Sequence, residues 1–350
     1  MQSRSHSRLI LILFSLCFAV LPALAHEEPD LTKLPIGDGK LSQEPMAGYV
    51  WRCGDGGPSS NGGAQVKGPW FNSDGTSFDM TKKYIVDGDV MWPSEFDITI
   101  QGTERIFTGN ALPNHGTGVY PVARTDDAAQ VDPNPNTISA QELSFTLPLM
   151  PTVAAEPSCM GGAVAVLLTG SVVFDGLDAE KRDAVAHETQ DACQGHPEGS
   201  GQYHYHSLTP CLEDAHEEGT HSALMGYAMD GFGLYGHDGE EGALLANEDL
   251  DECHGHIHEI TWEGQLVEMY HYHATYEYPY TIGCYRGTPV RMPMQGGQGA
   301  QGQGQGQGQG QPPTGGQGGQ PPAPPTGGQG QPPAPPTGGQ GQPPAPPPGG

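Results

Sequence analysis

Asp191-Ala192-Cys193-Gln194-Gly195-His196 followed by Tyr203-His204-Tyr205-His206, and Asp251-Glu252-Cys253-His254-Gly255-His256 followed by Tyr270-His271-Tyr272-His273, are two copies of one pattern. Each copy closes on a further cysteine, Cys211 in the first and Cys284 in the second. The match extends upstream. An apolar strand, a turn at Thr169-Gly170 and a second strand ending Val173-Phe174 correspond to a strand from Leu224, a turn at Asp230-Gly231 and Leu234-Tyr235-Gly236. Gly170 to Gly231 and Phe174 to Tyr235 are offset by 61, and Asp191 to Asp251, Cys193 to Cys253 and His196 to His256 by 60. Only the tetrads, offset by 67, carry an insertion. A near-constant offset across many residue types in order describes a duplication. The expected fold is one duplicated, disulfide-bonded domain with two tandem modules, about 160–211 and 221–284, related by a pseudo-two-fold axis.

The segments around these modules read as strands. Asp97 to Ile100, Leu143 to Leu147, Ala163 to Leu168, Ser171 to Phe174 and Gly255 to Trp262 are short β-prone runs punctuated by Gly, Pro, Asn and Asp. A mainly β fold with short helices follows. The one helix candidate is Ala179 to Gln190, with Asp178 as its N-cap. Residues 26–140 are assigned to the N-terminal part of the β domain and 141–293 to the two modules.

Both ends of the chain have other jobs. Arg4 and Arg8, the apolar run Leu9 to Val20 and the small-residue end Ala23-Leu24-Ala25 describe a secretory signal peptide over 1–25. No run approaches the roughly 20 apolar residues a membrane span needs, so the mature chain is expected in the extracellular space or the periplasm. Residues 294–350 alternate Gln and Gly, then repeat Gln-Pro-Pro-Ala-Pro-Pro-Thr-Gly-Gly-Gln-Gly at 320–330 and 331–341. Without charge or large apolar groups this tail cannot offset its ordering entropy, so it is expected to be disordered. It would serve as a spacer or as contact to a cell-surface or matrix partner.

Export leaves six cysteines, Cys53, Cys159, Cys193, Cys211, Cys253 and Cys284, and an oxidising compartment makes three disulfides the expectation. The formal charge is −27, with 41 Asp and Glu against 14 Lys and Arg. Nucleic acid and anionic membranes select basic patches, so both are excluded as partners, whereas cations suit this balance.

The tetrads, Gly-Tyr-Ala-Met-Asp-Gly-Phe-Gly-Leu-Tyr-Gly at 226–236, Leu250 to His256, and Tyr270 to Thr275 with Tyr278-Pro279-Tyr280 and Cys284 resemble the YHYH family of secreted proteins over roughly 150–290. The resemblance implies the fold unit. It implies nothing catalytic, because the family is named for its motif and has no settled activity.

Residues i and i+2 of a strand share a face, so His204 and His206 point one way and Tyr203 and Tyr205 the other. His271 and His273 do likewise. Two imidazoles on one strand can converge on an ion, and a third ligand completes the shell. His196 and His256 fill that role, each on a loop pinned by a nearby cysteine. Cys193 would then pair with Cys211 and Cys253 with Cys284, leaving Cys53 for Cys159. Two arrangements are open, one three-histidine site per module or one site shared at the axis. Neutral imidazole without thiolate suits late transition metals, copper favoured over zinc. His254 and His258 flank His256 and extend the donor set. Asp191 and Asp251 are candidates to orient a ring from behind or to cap a turn.

Three functions fit these residues: a secreted metal-binding protein, a metalloenzyme on the same site, and a surface or matrix protein whose Tyr-His strands form a hydrogen-bonded polar layer. For the second, Glu198, Asp230 and Glu259 are the candidate acid-base groups, although Asp230 also reads as the start of an Asp-Gly turn. His26, as the mature N-terminus, could add a chelating amine, and Met225, Met229 and Met269 read as core filling. No Gly-x-Ser-x-Gly elbow, His-Glu-x-x-His helix or phosphate loop occurs.

Overall fold

Ala163-Val164-Ala165-Val166-Leu167 has no polar position, and its strand is buried on both faces at the middle of an eight-stranded sheet. The computed structural model describes residues 26, 28–54 and 63–291, all within one compact unit. The expected signal segment 1–25 and the expected tail from 294 lie outside the described residues. Three strands precede the main sheet as an antiparallel meander: β1 (Phe96–Gln101), β2 (Glu104–Gly109) and β3 (Leu143–Pro148). The sheet itself contains β4 (Ala163–Leu167), β5 (Val172–Phe174), β6 (Gly195–Pro197), β7 (Tyr203–Tyr205), β8 (Leu224–Ala228), β9 (Gly233–Tyr235), β10 (Gly255–Trp262) and β11 (Gln265–His273). The fold is mainly β, and all five strands expected from the sequence form.

The sheet order is β6-β7-β5-β4-β8-β9-β11-β10. From either edge inward the pairing runs antiparallel, parallel, antiparallel, and the two halves meet at the antiparallel pair β4·β8. The two inner hairpins turn at Gly170 and Gly231, with φ of +88° and +96°, a left-handed backbone that glycine adopts without a Cβ penalty. The residues before them, Thr169 and Asp230, receive the hydroxyls of Tyr205 (3.1 Å) and Tyr272 (2.6 Å). The tyrosine face of each tetrad is thus sewn to the turn of its neighbouring hairpin.

Three disulfides, Cys53–Cys159, Cys193–Cys211 and Cys253–Cys284, brace the fold in the expected pairing. No helix among the described residues is long and apolar enough to cross a membrane. The meander packs on the sheet through aromatic rings. Phe107 stacks on Phe145 at 4.6 Å and meets Tyr227 edge-on at 5.3 Å. Beside them Arg105 is 1% exposed, its guanidinium 4.3 Å from the Tyr227 ring centre and 4.8 Å from that of Trp262, and it pairs with Glu263 in the β10–β11 turn. A desolvated cation over two rings joins the meander to the last hairpin. Arg105→Ala is expected to cost about 2 kcal/mol, from lost cation–π contact and packing. A lowered midpoint in urea would register the loss, and an unchanged one would refute this role.

One expected element is shorter than its sequence implied. Within 179–190 the α-helix covers only Ala184–His187, capped by Asp183 rather than Asp178. Asp178 instead accepts the backbone N–H groups of Glu180 and Arg182 at 2.8 Å each, and Lys181 takes a positive φ of 65°. A side chain that satisfies its own turn competes with helix formation, which delays the helix start to Ala184.

Candidate metal centres

His196 faces His204 across the β6·β7 ladder, and His256 faces His271 across β10·β11. The expectation that His196 and His256 sit on loops is therefore corrected. Each is a cross-strand neighbour of the first tetrad histidine, close enough for side chains to touch. The donor atoms of His196, His204 and His206 all lie within 4.8 Å of one another, and so do those of His221, His256, His271 and His273. Four strands separate β7 from β11 in the sheet, five steps of about 4.8 Å each, so the tetrads do not share one site. All six histidines expected from the sequence thus fall into two clusters, three in each.

The ring nitrogens are committed in a consistent way. Nδ1 of His204 donates to Gln202 O (3.2 Å) and Nδ1 of His271 to Met269 O (3.1 Å). Nδ1 of His206 donates to Asp175 O (2.6 Å), and Nδ1 of His273 to Gly236 O (2.8 Å). Nδ1 of His221 donates to Ser222 O (2.8 Å). A carbonyl oxygen only accepts, so these Nδ1 atoms carry the proton and the matching Nε2 atoms carry lone pairs. Those lone pairs face each other. His204 Nε2 is 3.1 Å from His206 Nε2, and His221 Nε2 is 3.2 Å from His271 Nε2 and 3.1 Å from His273 Nε2, while His256 adds its own Nε2 at 3.1 Å from His271 Nε2. Acceptors this close repel unless a positive charge sits between them.

A proton is a poor candidate for that charge. Burial pushes the imidazole of His204 down to about 4, those of His206 and His271 to about 3, and His256 to about 4. His196 and His273 move the same way for the same first reason. Each cluster thus presents close, unprotonated ring nitrogens that could hold a metal ion.

Two side chains join the clusters that sequence matching did not find. Glu188, buried, places Oε2 3.4 Å from His196 Nε2 and 3.3 Å from His206 Nε2, and neither Glu188 Oε2 nor His196 Nε2 has a hydrogen-bond partner among the described residues. Burial raises the Glu188 carboxyl well above its ordinary range. His221 enters the second cluster from the segment before β8, and the residue 61 positions earlier is Met160. The residue 60 after Glu188 is Glu248, which lies near His26 at 3.6 Å and outside both clusters. The repeat therefore carried no signal for His221, and the matched pair Glu188 and Glu248 shares its residue type but not its place beside the histidines. His258 lies 3.2 Å from Glu240 beside the second cluster, whereas buried His254 leaves the strand alternation with φ of 76° and bonds the Thr275 hydroxyl at 3.0 Å. His115 lies near Cys193 and Cys211, whose sulfurs are spent in their disulfide.

Asp191 and Asp251 orient no imidazole. Asp191 accepts the N–H groups of Cys193, Gly195 and Gly118 and the hydroxyl of Tyr203. Asp251 accepts those of Cys193's and Gly195's counterparts, Cys253 and Gly255, and the hydroxyl of Tyr270. Short Asx side chains two and four residues ahead of free N–H groups cap a turn, and that is their role here. The ring-orienting partners are backbone carbonyls instead. The three candidate acid-base groups lie apart from the clusters. Asp230 is spent on Tyr272 and on Gly287 N (2.8 Å), Glu198 on the N–H groups of Ser200 and Gln202, and Glu259 is exposed on β10 opposite Glu268.

The family described as YHYH protein matches the chain over residues 144–244, so a YHYH domain is present there. The match includes the first tetrad and ends before the second. No curated protein and no solved structure matches the chain.

Proposed function

We propose, from a chain that carries a YHYH domain over 144–244, that this is a secreted metal-binding protein with two ions per molecule, one in each histidine cluster. The observation that carries the reading is the set of Nε2 lone pairs, of His204 and His206 and of His221, His271 and His273, held 3.1–3.2 Å apart by Nδ1–H donation to backbone carbonyls. The ligands are His196, His204 and His206 with Glu188 at the first site, and His221, His256, His271 and His273 at the second. Four imidazoles, or three with one carboxylate, suit copper or zinc, with copper favoured by the ordering of affinities where it is present. The tetrad histidines of the two clusters donate Nδ1–H to carbonyls at equivalent positions, and the pairing pattern of the sheet is the same from either edge. Both support a duplicated module as the origin of the paired sites. A polar layer in which Asp191 and Asp251 pair with the rings is not favoured, since both carboxylates bond backbone N–H groups and tyrosine hydroxyls.

Elemental analysis of protein purified without a histidine tag and dialysed against copper or zinc tests the proposal. Two equivalents are expected. Fewer than about 0.2 equivalents of either metal would end it.

A further inference from the structure

The two clusters differ in their access to solvent. At the first, His196, His204 and His206 are 4%, 2% and 3% exposed, and the Glu188 carboxylate that borders them is buried as well. At the second, His271 and His273 are fully buried, but a row of donors leads outward from them. His256 Nε2 lies 3.1 Å from His271 Nε2, Glu240 Oε1 lies 3.9 Å from His256 Nε2, and His258 Nδ1 lies 3.2 Å from the same Glu240 oxygen. Exposure rises along the row, with side chains of His256 at 13%, Glu240 at 36% and His258 at 47%. Glu240 Oε1 is itself buried and has no hydrogen-bond partner among the described residues.

From this geometry we infer that Glu240 and His258 form a surface loading site that passes an ion through His256 to the second cluster, while the ion of the first cluster exchanges more slowly. The inference rests on the two-ion reading above. Its physical basis is ligand replacement in single steps. An ion held by Glu240 and His258 reaches His256 within 4 Å, and His256 already touches the inner ligands, so no step requires a bare ion in the interior. The carboxylate also lowers the cost of bringing a dipositive charge toward four neutral rings, a cost the first cluster meets with Glu188. A closed shell is the mark of a structural site, and one with a path to solvent is the mark of an exchangeable one.

The test uses the mature chain loaded with zinc and mixed with a large excess of a chromogenic chelator. Release is expected in two phases of one equivalent each, the faster at least tenfold quicker. His271→Ala should remove the fast phase and His204→Ala the slow one. Glu240→Gln combined with His258→Ala should slow the fast phase at least fivefold, with the slow phase in the same trace as reference. Glu240→Gln alone, which keeps the side-chain shape, guards against a folding defect in the double variant and should slow the phase at least twofold. Two equivalents leaving together, or a fast phase unmoved by these variants, overturns the inference alone. A chain that takes up no zinc overturns the two-ion reading and this one with it.

Discussion

His204→Ala and His271→Ala proteins are each expected to bind one equivalent of metal instead of two and to lose about 4 kcal/mol of unfolding free energy at free metal about a thousandfold above the dissociation constant. The stability loss follows from linkage, because an ion that binds only the folded chain stabilises it by the logarithm of its saturation. Each substitution removes a ring whose Nε2 lies 3.1 Å from another, and the donors left, two rings with Glu188 or three rings, are expected to hold an ion too weakly to fill the site at that metal concentration. The other cluster lies across four intervening strands and keeps its ligands. Chelator-treated wild-type protein should lose both contributions, and the two alanine variants should then show little further difference from it. Denaturant unfolding with and without chelator reads this directly. If either variant lost both equivalents, the clusters would not be independent, and if neither lost any, the ligand assignment would be wrong.

The part of this site that was legible in the sequence was the part fixed by strand alternation and repetition. Tyr-His-Tyr-His on a strand must put two imidazoles on one face, and that held at both tetrads. The matched Gly195-His196 and Gly255-His256 pairs supplied the third ring, although as strand neighbours and not as loop ligands. Hairpin register is set by the turn that closes it, and the sequences between 197 and 203 and between 262 and 265 do not announce that register. His221 was not legible because Met160 stands at its matching position, and Glu188 was not because its matched residue Glu248 lies away from the histidines and neither is aimed by a strand pattern. Of the two roles open to Asp191 and Asp251, ring partner or turn cap, the cap prevailed for a related reason. A carboxylate near a histidine motif suggests a ring partner, but an Asx side chain finds its own backbone N–H groups first. The helix over 179–190 shortened through the same competition at Asp178.

Replacing His254 by asparagine is expected to make the metal-free protein more resistant to acid than the wild type, by about 3 kcal/mol at pH 4. His254 is 2% exposed, belongs to neither cluster, and burial lowers its imidazole to about 3. In the unfolded chain it titrates near the ordinary histidine value of about 6.5. Below that pH the unfolded state takes up a proton that the native state refuses, so stability is lost as pH falls from about 6.5 toward 3 and is unaffected above this window. At pH 4 the gap is roughly 2.5 pH units, or about 3 kcal/mol. Buried acids such as Glu188 and Asp183, raised by desolvation, titrate in the opposite sense. For them the native state binds protons more readily as pH falls. The wild-type pH profile alone therefore mixes both signs, and the difference between wild type and variant isolates the imidazole. Asparagine suits the position, since it tolerates the φ of 76° and its amide can bond the Thr275 hydroxyl. Urea midpoints for both proteins at pH 7.5, 5 and 4, after chelation, decide the matter. The two curves should run parallel above pH 6.5 and diverge below it, and a constant offset down to pH 4 would mean that His254 is protonated in the native state.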